Sequence, residues 1–123
     1  MTATAPILVV DDDRDVLAMI QAFLEESGYR VVVAMSGAAA LLAMQQETPA
    51  CILLDLRMPE MNGAQFLNEV KQRTAQPPAV IVVSAGARAR EEAEQLGVQG
   101  FLAKPFDLDE LLAQIRQHAG EPR

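Results

Sequence analysis

Five side chains in this sequence could do chemistry together, and each stands at the end of a short apolar run. Asp11 and Asp12 follow "ILVV" at 7–10, and Asp55 follows "CILL" at 51–54. Ser84 closes "AVIVVS", and Lys104 follows "GFLA". Two unit negative charges ~4 Å apart repel by about 4 kcal/mol at an effective dielectric of ~20. If the first and third runs are neighbouring strands, three carboxylates converge, and such a cluster holds either protons or a cation. Oxygen donors without histidine or thiolate select a hard ion, Mg²⁺ first and Mn²⁺ as the alternative. A metal, the Lys104 ammonium and the Ser84 hydroxyl, all facing Asp55, could neutralise and orient a phosphoryl group. Asp55 is then the nucleophile, its carboxylate attacking phosphorus to form an acyl phosphate. Ala85 is small and leaves room for the phosphate. The plainer reading of an Asp after a strand is a helix N-cap, and that reading is assigned to Asp13, next to a helix starting near Arg14.

The elements that must position these groups alternate regularly. "ILVV", "VVVA", "CILL", "AVIVV" and "GFLA" are continuous apolar runs, the pattern of parallel strands covered on both faces. Between them lie stretches of helical period. Val16, Ile20, Phe23 and Leu24 mark the first apolar stripe; Ala38, Leu41 and Leu42, behind a Ser36 N-cap, mark the second. Phe66, Leu67 and Val70 mark the third, and Leu108, Leu111, Leu112 and Ile115 the last, opened by Asp107 and Glu110 as a capping pair. The fourth stretch, 87–96, offers only Ala89, Ala93 and Leu96, so it anchors weakly. The expectation is an α/β fold: a single-domain, doubly wound, five-stranded parallel sheet with right-handed crossovers. Such sheets bind ligands beyond the carboxyl ends of their strands, where all five residues fall.

Composition narrows the classes. A chain of 123 residues, half of them hydrophobic, is long enough for one well-buried core and too apolar for intrinsic disorder. A net charge of -7 disfavours direct contact with nucleic acid or an anionic membrane. Cys51 is the single cysteine, read as a buried thiol, so no internal disulfide forms. "MTATAP" lacks the regions of a secretory leader and no run approaches the ~20 apolar residues of a membrane helix; the expected location is cytoplasmic. The expected organisation is a lead at 1–5, one domain at 6–118, and a tail or linker stub at 119–123.

The acidic pair in "VVDDD", the loop "DLRMPEMNG", the "SA" after the fourth run and the "KPF" after the fifth make the chain similar, over about residues 6–118, to the receiver domain of bacterial two-component response regulators. The resemblance implies the flavodoxin-like strand order 2-1-3-4-5. It implies that Asp55 is the phosphoacceptor, and that Asp11, Asp12, Asp55 and the backbone carbonyl of Arg57 hold the metal. Ser84 and Lys104 become the phosphate-binding pair. Phe101 becomes the aromatic switch, turning inward when Ser84 moves to the phosphate. A cis bond between Lys104 and Pro105 is also implied. The phosphoryl group would come from a histidine kinase or a histidine phosphotransfer protein, since the lone histidine, His118, reads as a solvated side chain near the chain end. Phosphorylation would then switch the surface of the fourth helix, fifth strand and fifth helix toward a downstream protein target, without direct contact to nucleic acid or membrane. The chain would catalyse only its own phosphorylation and dephosphorylation, with no turnover on a free substrate.

Three positions depart from the commonest pattern. Phe101 replaces a tyrosine; "GVQGF" lacks the acidic pair of the subfamily that dimerises through its last two helices and strand; and Arg57 puts a cation two residues after Asp55, to shield the acyl phosphate or contact a partner. The same Arg57 argues against an aspartyl-nucleophile phosphatase, which wants an acid there. "DDD" after the first strand argues against a flavin-binding electron carrier, which wants a glycine- and hydroxyl-rich loop. A pseudo-receiver that never takes phosphate would not need the complete residue set.

Overall fold

The computed structural model describes residues 4–122. Met1–Ala3 and Arg123, parts of the expected lead and tail, lie outside the described residues. Strand and helix alternate as β1 (Ile7–Val10), α1 (Arg14–Glu26), β2 (Val31–Ala34), α2 (Gly37–Gln46), β3 (Cys51–Leu54), α3 (Gly63–Arg73), β4 (Ala79–Ser84), α4 (Ala89–Leu96), β5 (Gly100–Ala103) and α5 (Leu108–Ala119). All strand pairs are parallel, in the order β2-β1-β3-β4-β5. The expected sheet and order are both present.

Side-chain alternation along each strand divides the interior into two cores. Leu8, Val10, Ile52, Leu54 and Val82 meet α2, α3 and α4 through Leu41, Phe66, Val70 and Ala93. Ile7, Val9, Leu53, Ile81 and Val83 meet α1 and α5 through Leu17, Ile20, Leu24, Leu111 and Ile115. The buried run "CILL" therefore serves both layers, which is why it shows no alternation. Cys51 lies in this layer, and burial pushes its thiol up to about 12, which keeps it protonated and unreactive.

Local chemistry sets the helix starts. Asp13 caps α1, its carboxylate accepting from the N–H of Asp15 and Val16. Ser36 caps α2 and Asp107 caps α5. Asn62 and Gln65 form a reciprocal capping box on α3. α4 differs: Arg88 occupies its N-cap position with no side-chain cap bond, and its buried residues are Ala89 and Ala93.

Three expectations need correction. On α1 the buried stripe is Leu17, Ile20 and Leu24; Val16 and Phe23 are half-buried at its border. On α2 the buried residues are Gly37, Ala40 and Leu41, whereas Ala38 is exposed and Leu42 is 62% exposed. "GAAALLAMQQ" is almost uniformly apolar in its first eight positions, so its period carries no phase, and packing chose the face. β2 is covered only in part because it is an edge strand, and Val33 is exposed.

Candidate functional site

Sheet register brings the acids together before any side chain is considered. Val10 pairs with Leu54, so Asp11 and Asp55 leave adjacent strands at the same level. The ladder runs one residue further: the Asp55 N–H donates to the Val10 carbonyl at 3.0 Å, and the Asp11 N–H to the Ala34 carbonyl at 3.1 Å. β1 and β3 flank the point where the chain reverses its direction of travel across the sheet, the position at which this architecture opens a crevice. On the other side, Ser84 pairs with Ala103, and the Lys104 N–H donates to the Ser84 carbonyl at 3.0 Å. Four strand ends thus deliver four polar side chains to one rim.

Their side chains converge. Asp11 is 3% exposed, Asp55 6% and Ser84 0%, whereas Asp12 lies open to solvent. Each of Asp11, Asp12 and Asp55 offers an oxygen within 4.8 Å of the others. Lys104 Nζ donates to Asp11 Oδ2 at 2.7 Å and to Asp55 Oδ2 at 3.2 Å. Ser84 Oγ donates to Asp55 Oδ1 at 2.9 Å, and that oxygen also accepts from the Arg57 N–H at 2.9 Å. The Asp13 N–H donates to Asp11 Oδ1 at 2.9 Å. The Lys104–Pro105 peptide bond is cis.

Burial dominates the electrostatics of Asp11. Desolvation pushes its carboxyl above the ordinary aspartate value, against hydrogen bonds from Lys104 and the Asp13 N–H, with the Asp55 charge adding to the rise. Lys104 responds oppositely. Burial works to lower its pKa, but the hydrogen bond to Asp11 and the charges of Asp55 and Asp11 outweigh it. It is therefore held above the ordinary lysine value and stays an ammonium. The ammonium is the more exposed partner, so desolvation weighs less on it than on the acid.

A dication fits these residues. Three carboxylate oxygens from Asp11, Asp12 and Asp55 face a common space, all donors are hard oxygens, and the deepest acid is one for which carrying charge unaided is costly. Such an ion would balance the acids and leave positions for phosphate oxygens.

The sequence placed Asp11, Asp12, Asp55, Ser84 and Lys104 at one rim, and the structure has them there. Phe101 stands apart, on β5 and half-buried. Two partners were not legible. Arg57 reaches away from the acids to Glu92 on α4, donating from Nη1 to Oε2 at 2.8 Å and from Nη2 to Oε1 at 2.5 Å. The Arg90 guanidinium lies 4.8 Å from the centre of the Phe101 ring. Nothing in "AREEAEQL" marks Glu92 or Arg90 for these contacts.

Comparison with known proteins agrees with this geometry. The response regulator receiver domain family matches residues 7–116. The chain is 37% identical over 120 residues to the response regulator Rre1 of Synechocystis sp., covering 94% of this chain and 52% of that protein. It is 38% identical over 111 residues to the transcriptional regulatory protein CpxR of Klebsiella pneumoniae, covering 89% of this chain and 47% of that one. It spans about half the length of these relatives. Among solved structures it resembles the Francisella response regulator 1452 receiver domain, with a TM-score of 0.84, 28% identity, and coverage of 94% of this chain and 96% of that one. Vibrio cholerae chemotaxis protein CheY4 superposes with a TM-score of 0.82 at 28% identity, covering 94% of this chain and 99% of that one. With its sheet order, its rim of acids and its lysine all accounted for, the chain belongs to the response regulator receiver domain family.

Proposed function

We propose that Asp55 accepts a phosphoryl group from a histidine kinase or a histidine phosphotransfer protein, with Mg²⁺ held by Asp11, Asp12, Asp55 and the Arg57 carbonyl. The observation that carries this reading is the arrangement around Asp55 itself. One of its oxygens is met by a hydroxyl and a backbone N–H, the other by an ammonium. These donors orient the carboxylate and lie where phosphoryl oxygens would need them. Asp55 attacks phosphorus in line, an O–P bond forms, and the bond to the donor's nitrogen or oxygen breaks with its electron pair leaving on the donor. Lys104 and Ser84 then bind the phosphoryl oxygens. Bound Mg²⁺ would supply charge neutralisation at those oxygens. Water attacking the same phosphorus returns the free carboxylate.

Residues 6–118 act as one receiver unit in this reading; of the expected tail, Ala119 closes α5 and Gly120 is held by the Tyr29 hydroxyl, so both belong with the unit. The chain works on its own aspartate and turns over no free substrate. Phe101 is the switch residue, and its movement with Ser84 alters the α4–β5–α5 surface for a protein target. The described helices include none long and apolar enough to cross a membrane, which suits a cytoplasmic location. Incubation with Mg²⁺ and acetyl phosphate, read by intact mass, tests the chemistry. The expected result is a gain of one phosphoryl group that is lost in Asp55→Asn. No gain in the wild-type protein, or an unchanged gain in Asp55→Asn, refutes it.

A further inference from the structure

α4 is the helix with the least apolar anchorage. It buries two alanines, its N-terminus has no side-chain cap, and Leu96 at its end is only half-buried. Burying an alanine methyl contributes a fraction of what a leucine contributes. Two guanidinium groups supply specific polar tethers: Arg90, on the helix itself, lies over Phe101, and Arg57, from the loop after β3, grips Glu92 in a two-pronged ion pair. The second tether starts at the site. Arg57 lies two residues after Asp55, and its own backbone N–H is bound to the Asp55 carboxylate. Its guanidinium lies beside the loop that leaves Ser84, where a Cβ on Gly86 would come within 3.7 Å of it. The charge of Asp55 already acts on it, in the same direction as that of Glu92.

We propose that Arg57 is a charge-operated latch: it holds α4 to the site through Glu92 while Asp55 is free, and releases the helix when Asp55 carries a phosphoryl group. This rests on the reading of Asp55 as the phosphoacceptor. Glu92 and the phosphoryl group compete for a single guanidinium. Phosphorylation of a carboxylate exchanges a charge of −1 for about −2 and adds acceptor oxygens of greater strength. Glu92 is a half-exposed partner, 40% accessible at its side chain, so water and salt already screen its hold on Arg57. The phosphoryl group would form at a carboxylate buried to 6%, where screening is weaker. The guanidinium turns toward the stronger and less screened anion. α4 is then left with its two alanines, the half-buried Leu96, the hydrogen bond from Lys71 to the Leu96 carbonyl at 3.4 Å and the Arg90 contact, and Phe101, on which that last contact depends, belongs to the element expected to move.

Amide exchange over residues 87–96, with residues 37–46 of α2 as internal reference and intact mass recorded in parallel, tests the latch. Wild type, Glu92→Gln and Glu91→Gln are compared with and without Mg²⁺ and acetyl phosphate, which transfers its phosphoryl group to Asp55 and leaves as acetate. Glu91→Gln controls for loss of a first-turn acid at the helix N-terminus, since Glu91 faces Arg88 rather than Arg57. The expected results are these: phosphorylation accelerates exchange in wild type about fivefold, Glu92→Gln shows most of that acceleration without phosphate and gains little with it, and Glu91→Gln behaves as wild type. The latch is overturned if Glu92→Gln exchanges like wild type before phosphorylation. It is overturned equally if Glu91→Gln matches Glu92→Gln, or if phosphate accelerates wild type and Glu92→Gln by the same factor. Absence of any mass gain in wild type overturns the phosphoacceptor reading, and the release step with it. A normal mass gain with no loss of coupling overturns the latch alone.

Discussion

At the scale of single residues, the site is a balance between burial and charge. Asp11 is nearly inaccessible and is paired with Lys104, yet burial still lifts its pKa above the ordinary value. The consequence for stability has a definite sign. A carboxyl that binds its proton more tightly in the folded than in the unfolded chain destabilises the fold as pH rises through the interval between the two pKa values. The interval opens near the unfolded value of 3.8 and extends upward. Without Mg²⁺, Asp11→Asn is therefore expected to raise stability at pH 7, because it removes a carboxylate whose charge the fold disfavours while Lys104 keeps its ion pair with Asp55 at 3.2 Å. Below pH 3.8, where Asp11 is protonated in both states, the advantage should vanish. Urea unfolding at the two pH values checks this; a wild-type protein more stable than the variant at pH 7 would contradict it.

At the scale of elements, the precision of the rim depends on close backbone approach. Gly63 opens α3 directly against the chain leaving β3, its N–H donating to the Leu56 carbonyl at 3.2 Å. A Cβ there would lie 2.6 Å from Leu56 Cδ2 and 2.8 Å from Leu56 Cα. The second contact is backbone and cannot rotate away. Gly63→Ala is expected to cost about 3 kcal/mol in urea unfolding, the scale of an overpacked core position. A loss below 0.5 kcal/mol, roughly the level of a neutral surface change, would show that the loop gives way. Elsewhere β5 is fastened from outside the sheet. Gln114 on α5 donates from Nε2 to the Phe101 carbonyl at 2.9 Å, while its Oε1 is buried without a hydrogen-bond partner among the described residues. A Cβ on Gly100 would collide with that same oxygen. Small residue and long amide are therefore matched, and α5, through Gln114, holds the backbone carbonyl of the expected switch residue.

At the scale of the whole molecule, the apolar cores and the acidic cluster occupy different places. Two apolar cores, one on each face of the sheet, hold the elements together; the acids occupy only the rim. Phe66, Leu54, Ile81 and Ile115 are all fully buried and apolar, and none supplies a polar group to the site. Chelation of Mg²⁺ is expected to leave a single cooperative unfolding transition, and Mg²⁺ at a hundredfold excess over its dissociation constant to add about 2.7 kcal/mol. Circular dichroism melts with chelator and with Mg²⁺ would detect the alternative, a chain that loses its folded signal without the ion. The end of α5 is also fastened: the Tyr29 hydroxyl donates to the Gly120 carbonyl at 2.6 Å, which joins it to the turn after α1.

The alternation of strand and helix, the five strand cores and the five rim residues were all legible in the sequence. The reason is that parallel strands must be continuously apolar, and a charged residue at the end of such a run has nowhere to go but the rim. "VVDDD" and "LLDLR" announce themselves by the abruptness of that change. The phase of α2 was not legible, because a helix of alanine and leucine presents no polar face to exclude one choice. Only packing against β2, α3 and β1 made Leu41 inner and Leu42 outer. Nor was the partner of Arg57 legible: Glu92 lies 35 residues away, and a surface ion pair depends on how two elements come to rest beside one another. Local chemistry thus determined which groups this protein has and at which edge they stand. The tertiary arrangement decided which of them share an ion pair or a hydrogen bond, because those energies depend on separations of a few ångströms that only the packed elements set.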